Sequence, residues 1–211
     1  TCPNRHSFDI ARQGHVNLLP VQHKRSLSPG DTAQQVVSRR AFLDGGFYAP
    51  IQRTLCTMAK EHGCTGPILD SGCGEGYYSA ALAEDMGAEL LGLDISKEAV
   101  RYAAGRYKNA TWICASAAHL PVKDQSFGLL TSLFALTMPE EFKRVLRPDG
   151  AFIQVLAAED HLLGLKSIIY PEILRKEKTL HGELNGFTLE KTETLEFTFT
   201  VDSAQQAQNL L

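Results

Sequence analysis

No stretch of 18 consecutive apolar residues occurs in the 211-residue chain, so the sequence predicts no transmembrane helix. The chain also has no signal peptide, because Thr1 begins a polar segment; Thr1 is not a natural start, and we expect the true N-terminus upstream. Cysteine is sparse, with five scattered residues, and an odd set of this kind argues against a disulfide framework. These absences predict a cytoplasmic protein with reduced thiols and no membrane partner.

The glycine spacing of a dinucleotide site is absent as well. The most glycine-rich stretch, ILDSGCGEGYY (Ile68 to Tyr78), has the form G-x-G-x-G instead of G-x-G-x-x-G. It also carries an acid, Glu75, where a pyrophosphate would have to approach. A carboxylate at that place repels a pyrophosphate, but it tolerates a cationic ligand.

The same stretch has the features of a buried strand, a tight turn and a helix start. Asp70 ends the apolar lead, and Asp94 ends a second apolar strand 22 residues after Gly72. An acid at that distance is placed to bind two ribose hydroxyls. Because the sulfonium of S-adenosylmethionine is cationic, we interpret the stretch as an adenosylmethionine site; the alternative is a glycine turn between two core elements.

Strands and helices alternate from Ile68 onwards, which predicts a doubly wound, Rossmann-like α/β domain with a mostly parallel sheet. The tail GFTLEKTETLEFTFTV (186–201) has the alternation of an antiparallel hairpin. A parallel sheet ending in such a pair is typical of class I methyltransferases. The predicted strands are Ile68–Ser71, Glu89–Asp94, Thr111–Ala115, Phe127–Phe134 and Ala151–Ala157, and the predicted helices are Tyr77–Met86, Lys97–Tyr107, Glu140–Leu146 and His161–Glu177.

In such a sheet the ligand lies outside the carboxyl ends of the strands. Asp70 adds negative charge there, and the turn Gly72, Cys73 and Gly74 is expected under the methionine part. Asp94 is expected on the ribose. Three residues are expected near the adenine, with a plain turn as the alternative for the first: Ser116, Ala117 and Ile95.

The first 62 residues differ from the rest in charge. Residues 1–62 carry +4 and residues 63–211 carry −7, which indicates either a polyanion partner for the front of the molecule or simple scatter of surface charge. We therefore predict an N-terminal segment (1–62) with a zinc-knuckle-like part and helices, followed by a methyltransferase domain (63–211). Cys2 and His6 have the spacing of half a zinc site or are an unrelated thiol and imidazole. The predicted RNA contacts are Lys24, Arg25, Arg39 and Arg40.

Four segments resemble the RlmA family of bacterial 23S rRNA (guanine-N1)-methyltransferases: HVNLLPVQHKRSLSPGD, SRRAFLDGGFYAPI, ILDSGCGEGYY and GLDISKEAV. The resemblance extends from Cys2 to about Leu211. It implies methyl transfer to a guanine in a ribosomal RNA hairpin, with zinc and S-adenosylmethionine as cofactors. It also implies that Cys2 and His6 are the last two of four zinc ligands, and that Tyr48, the pair Cys73-Gly74 and His161 contact the cofactor.

The chain departs from the family pattern on the acceptor side. Where the family carries a proline followed by a polar residue, this chain has Leu136-Thr137. No residue declares itself as the base for the guanine N1 proton, and Glu140 and Glu141 are the candidates. Two rival functions stay open: a small-molecule methyltransferase, and a degenerate RNA-binding protein that holds cofactor without turnover. A homodimer is one option for the oligomeric state.

Overall fold

A computed structural model describes residues 7–19, 29–169 and 184–210. Among these residues, six parallel strands form one sheet in the order β1-β4-β3-β2-β5-β6. This arrangement confirms the doubly wound α/β prediction. The strands are β1 (Val16–Asn17), β2 (Ile68–Ser71), β3 (Leu90–Asp94), β4 (Thr111–Cys114), β5 (Phe127–Leu133) and β6 (Leu146–Val155). The helices are α1 (Ala33–Asp44), α2 (Ala49–Glu61), α3 (Tyr77–Met86), α4 (Lys97–Arg106), α5 (Pro139–Val145), α6 (Leu163–Ile169) and α7 (Ala204–Leu210).

Helices cover both faces of the sheet. Successive strand residues point to opposite faces, so Ile68 joins one hydrophobic cluster and Leu69 joins the other. The first cluster contains residues of α2, α3 and α4, and the second contains Phe142 and Val145 of α5. Strand order reverses at β2, because β3 lies on one side of it and β5 on the other. The carboxyl end of β2 is therefore the topological switch point, where ligands bind in open α/β sheets.

The N-terminal part is joined to this core. Strand β1 adds to the sheet edge beside β4, and Ile51, Leu55 and Ala59 of α2 lie in the same cluster as Ile68. Thr32 caps α1 through a reciprocal bond with Gln35, as expected for a Thr-x-x-Gln capping box. The domain boundary at residue 62 stays a prediction, since the hydrophobic core continues across it.

The predicted antiparallel hairpin at 186–201 is wrong. Within the described part of the tail, residues 187–202 form no strand. Its alternation has a different cause: Phe197 and Phe199 are half-buried and pack against Tyr48, with ring centroids 6.1 and 5.9 Å away. An extended segment that buries one side shows alternating apolar and polar residues, whether or not it pairs with a second strand.

Two further boundaries differ from the sequence prediction. The strand predicted to begin at Ala151 begins at Leu146, and its pairing with β5 is irregular between Phe127 and Leu129. The helix predicted over His161–Glu177 begins at Leu163, and residues 170–183 lie outside the described part. Cys2, His6, Lys24 and Arg25 also lie outside it. No helix within the described ranges is long and apolar enough to cross a membrane.

Candidate functional site

The glycine loop leaves β2 at the switch point in a conformation that requires glycine. Gly72 and Gly74 have φ values of 87° and 54°, in the region that side chains with a Cβ avoid. The backbone N–H groups of Gly72 and Cys73 both donate to the Leu93 carbonyl, which anchors the loop to β3. A Cβ on Gly72 would overlap the Ala135 side chain, so the loop after β5 lies directly against the glycine loop. A ligand that reaches the glycine loop would contact backbone atoms at Gly72 and Gly74, where no Cβ stands in the way.

Asp94 ends β3 beside this loop. Its two carboxylate oxygens accept from the Gly74 N–H at 3.0 Å and from the Ser96 N–H at 2.8 Å. Burial raises the pKa of Asp94, and these two N–H donors oppose the rise. Each oxygen keeps lone-pair capacity for a further donor. Asp94 is thus fixed in orientation and chemically able to accept hydroxyl donors, as a ribose site requires.

Asp70 lies at the centre of the sheet and is buried. Thr131 of β5 donates to its Oδ1 at 2.8 Å. Burial raises the pKa of Asp70 to about 6, partly offset by the Thr131 bond, while the negative charge of Asp94 raises it further. The Ser79 hydroxyl opposes the rise as well. A buried carboxylate favours a cation nearby. Sequence alone had suggested the acid but not its Thr131 partner.

Glu75 inside the loop is only 4% exposed, and its Oε1 has no hydrogen-bond partner within the described residues. Burial raises its pKa, and the positive charges of Arg39 and Arg106 oppose that rise. Asp70, Glu75 and Asp94 therefore place three acids around one short loop. The negative charge of these three acids would repel a pyrophosphate. It is therefore a stronger argument against a dinucleotide ligand than the glycine spacing is.

The end of β4 completes this side of the cleft. Ala115 donates its N–H to the Asp94 carbonyl at 3.0 Å, and Cys114 Sγ contacts the Ile95 carbonyl at 3.4 Å. Ser116 and Ala117 follow directly and are half-buried, while Ile95 is 38% exposed. Ser116 also accepts from the Ala118 N–H through Oγ, which fits the turn interpretation. The structure thus brings Asp94, Ile95, Ser116 and Ala117 together at one edge.

Tyr48 and His161 meet although 113 residues separate them. Tyr48 Oη and His161 Nε2 are 2.8 Å apart and hydrogen-bonded. Burial raises the pKa of Tyr48, so its hydroxyl stays protonated near neutral pH. The His161 ring also stacks on Phe134, the first residue after β5. Tyr48 and His161, two of the residues that the family resemblance implied as cofactor contacts, therefore lie in one cluster.

The two candidate bases have other contacts. Glu141 accepts from the Leu120 N–H at 2.7 Å and pairs with Arg144, whose hydrogen bonds lower the Glu141 pKa. A lowered pKa makes a carboxylate a weaker base. Glu140 is exposed and accepts from Asn185 at 3.2 Å. Their role as bases stays a prediction without support from these contacts.

The two predicted RNA contacts on α1, Arg39 and Arg40, have different surroundings. Arg39 pairs with Asp31, whereas Arg40 lines a depression of about 300 Å³ on the outside of α1 and α4. Within the described ranges, the cationic charge there is only partly neutralised, because three arginines pair with two acids: Arg40 and Arg106 share Asp44, and Arg101 pairs with Glu98. The depression is lined by Gln13, Arg40, Arg101, Tyr102, Gly105 and Arg106. Only Arg40 of this set was predicted.

Two supporting residues escaped sequence analysis. Trp112 on β4 packs under the glycine loop, where a Cβ on Gly76 would lie 2.6 Å from its ring. Gly92 on β3 leaves the space that the same ring occupies. A glycine inside an apolar strand indicates that another group packs closely against the backbone. Gly92 could therefore have indicated from the sequence that a large side chain lies against β3.

Comparison with known proteins agrees with this arrangement. Residues 68–150 match the family model described as "Methyltransferase domain", and residues 1–27 match the model described as "RlmA, N-terminal". A methyltransferase domain was expected from the glycine loop. The N-terminal match is the more specific of the two.

Two relatives carry related names. The 23S rRNA (guanine(748)-N(1))-methyltransferase of Streptomyces fradiae is 38% identical over 78% of this chain and 59% of its own length. A Bacillus subtilis protein provisionally named 23S rRNA (guanine-N(1)-)-methyltransferase YxjB is 31% identical over 89% of this chain and 68% of its own length. The chain thus spans about six tenths to two thirds of these relatives.

A solved structure supports the fold alone. A provisionally assigned S-adenosylmethionine-dependent methyltransferase of Methanococcus maripaludis superposes with a TM-score of 0.51 at 17% identity, over 68% of this chain and 74% of that one. The fold, the N-terminal match and the extent of the YxjB alignment together lead to one assignment. The chain belongs to the RlmA family of 23S rRNA (guanine-N1)-methyltransferases.

Proposed function

We propose that this protein transfers the methyl group of S-adenosylmethionine to N1 of a guanine in 23S ribosomal RNA. The observation that carries the proposal is the glycine loop at the switch point, with Asp70 buried beneath it and Asp94 fixed beside it. The names of the two relatives support the acceptor. A small-molecule methyltransferase would share the loop but not the RlmA N-terminal match.

In this proposal the cofactor lies along the edge formed by β2, β3 and β4. Gly72, Cys73 and Gly74 face the methionine part, with Tyr48 and His161 at its far side. Asp94 accepts the ribose hydroxyls, and the adenine lies beside Ile95, Ser116 and Ala117. The negative charge of Asp70 stabilises the sulfonium and ammonium of the cofactor.

The chemistry is an in-line displacement at the methyl carbon. The guanine N1 lone pair forms the new N–C bond, the S–C bond breaks, and S-adenosylhomocysteine leaves with the electron pair. The N1 proton must depart before or during attack. The sulfonium is already a strong electrophile, so positioning supplies much of the rate enhancement. Glu141 is bound to Arg144 and to the Leu120 N–H, which disfavours it as the proton acceptor.

The RNA partner is proposed to meet the N-terminal part and the depression on α1 and α4. Gln13 belongs to the N-terminal part, whereas Arg101 and Arg106 belong to α4 of the methyltransferase fold, so one depression joins the two. Arg101 Nε is buried without a hydrogen-bond partner among the described residues. Guanidinium groups arranged in this way suit the phosphates of an RNA hairpin. Zinc is proposed as a second cofactor, held in part by Cys2 and His6.

The depression can be tested by salt dependence. Replacing Arg101 or Arg106 by Gln removes one guanidinium each, and we expect weaker RNA binding with a shallower dependence on salt concentration. The loss of one phosphate contact changes the slope of log K against log[salt] by about 1. Lys123→Gln is the matched control, because Lys123 is exposed in the loop before β5. An unchanged slope in both arginine variants would remove the depression from the RNA face.

Methyl transfer itself is tested with labelled cofactor. The protein is incubated with methyl-labelled S-adenosylmethionine and 23S rRNA lacking the modification, in parallel with a pool of small-molecule acceptors. Label in the RNA supports the proposal. Label only in small molecules supports the first rival function, and cofactor binding without transfer supports a degenerate RNA-binding protein.

A further inference from the structure

Phe134 has a backbone conformation that its side chain does not favour. It is the first residue after β5 and has a φ of 55°, in the left-handed region that β-carbon sterics disfavour. Its N–H donates to the Val155 carbonyl at 2.9 Å, so pairing with β6 holds the backbone in place. Glycine or asparagine would fit this conformation at lower cost. Strain of this kind is found preferentially at functional sites.

The phenyl ring of Phe134 is 44% exposed, although it lies next to residues proposed to hold the cofactor. On one side it stacks on the His161 ring, at 6.4 Å between centroids and 29° between planes. On the other side its chain neighbour Ala135 lies against Gly72 of the glycine loop. Phe134 therefore contacts His161 through its ring and is followed in the chain by the residue that contacts the glycine loop.

The other aromatic side chains nearby are covered. Phe47 stacks on Phe42 at 4.9 Å and also meets Phe199. Tyr48 contacts the rings of Phe42, Phe199 and Phe197 as well as His161. Within the described part of the chain, the ring of Phe134 has His161 as its sole ring neighbour. Phe134 is exposed, whereas Phe47 and Tyr48 are half-buried, so its ring is the most accessible of the three.

We propose that the ring of Phe134 is the platform on which the flipped target guanine stacks during methylation. This inference rests on the proposed function and adds the residue that positions its acceptor. A base that leaves the RNA stack loses its neighbours, and an aromatic side chain replaces one of them. The strained backbone aims the ring into the cleft, and the contact with His161 fixes the plane of the platform relative to the donor site.

The test uses Phe134→Leu, which keeps apolar bulk without the π face, and Phe134→Trp, which keeps a face. Base–aromatic stacking accounts for roughly a 5- to 150-fold effect, so we expect kcat/KM for RNA methylation to fall by that factor in the leucine variant and to recover in the tryptophan variant. Cofactor affinity, measured by calorimetry, should stay unchanged in both. Leu189→Ala is the control, because Leu189 is 58% exposed in the tail.

A second readout reports stacking directly. RNA with 2-aminopurine in place of the target guanine should be quenched by the wild-type protein and by the tryptophan variant, and should be brighter in complex with the leucine variant. Phe134→Gly relieves the positive φ, so we expect a higher unfolding midpoint together with lower activity. A purely structural role predicts the opposite, with stability and activity falling together.

The outcomes separate this inference from the proposed function. If the wild-type protein transfers no methyl group to rRNA, the proposed function is wrong, and the stacking role of Phe134 is wrong as well. If the wild-type protein methylates rRNA and Phe134→Leu matches it in both kcat/KM and 2-aminopurine emission, the platform alone is overturned. Loss in the leucine variant with rescue by tryptophan supports both.

Discussion

Replacing Asp70 by Asn should stabilise the cofactor-free protein at neutral pH. Asp70 is buried at the carboxyl end of β2, and its pKa is raised from 3.8 to about 6, chiefly by burial. A rise of this size corresponds to ~3 kcal/mol of unfavourable free energy for the ionised side chain, at 1.36 kcal/mol for each tenfold change. Asparagine is nearly isosteric, and its Oδ1 can still accept from Thr131.

The pH dependence follows from the direction of that pKa change. Between about pH 4 and 6 the folded protein binds a proton at Asp70 that the unfolded chain releases. The contribution of Asp70 to stability is therefore least unfavourable below pH 4, declines as pH rises through 6, and is level above about pH 7. The asparagine variant lacks this decline. The gap between the variant and the wild type should grow from near zero at pH 4 to as much as ~3 kcal/mol at pH 8.

Urea unfolding at several pH values between 4 and 8 measures the gap. Asp149→Asn is the control, because Asp149 is exposed on the irregular part of β6. Cofactor binding reverses the effect: the cationic ligand stabilises ionised Asp70, so affinity should rise with pH through 6 in the wild type and lose this dependence in the variant. A variant that is less stable than the wild type at pH 8, or one that keeps the decline, would refute the reasoning.

Three further substitutions test other parts of the site. Gly72→Ala places a Cβ against Ala135 at a φ of 87°, so we expect at least a tenfold loss of cofactor affinity by calorimetry; wild-type affinity would contradict the close approach. Tyr48→Phe removes the 2.8 Å bond to His161, so cofactor affinity should fall about fivefold, and an unchanged value would exclude a positioning role for the hydroxyl. Glu141→Gln should lower the free energy of unfolding by about 1 kcal/mol while kcat stays at the wild-type value, because its contacts are structural; a large loss of kcat would restore it as the base.

Most of the fold followed from periodicity. The predicted helix Tyr77–Met86 agrees at both ends, and the strands at Ile68, Thr111 and Phe127 begin where expected. Helix α3 is capped by Gly76 and Gly87, and the strands have short apolar runs whose starts are easy to recognise. The short strand β1 was missed, because two residues carry no periodic signal and gain their strand identity only from pairing with β4.

The tail shows where pattern reading fails. Phe197 and Phe199 alternate with polar residues, which predicts a strand. In the structure both rings pack around Tyr48, an interaction set by tertiary contacts across about 150 residues. Alternation reports which side chains are buried and does not identify the partner.

The candidate site was predictable where backbone geometry dictates residue type. Gly72, Gly74 and Asp94 could be located because a tight turn and a strand-end acid leave a recognisable spacing. The family resemblance implied that Tyr48 and His161 each contact the cofactor. Their hydrogen bond to each other was not predicted, since no local pattern joins residues so distant. The positive φ of Phe134 had no signal at all, because the residue occupying it is not glycine.

The identity of the product nucleoside is the most direct test of the proposed methylation of guanine N1 in 23S rRNA. Unmodified 23S rRNA is treated with the protein and S-adenosylmethionine, digested to nucleosides and examined by mass spectrometry against synthetic standards. If guanine N1 is the acceptor, we expect one new nucleoside, 1-methylguanosine, at a single position. A methyl group on another base or another guanine atom, or no methylated nucleoside despite measurable cofactor binding, would contradict it.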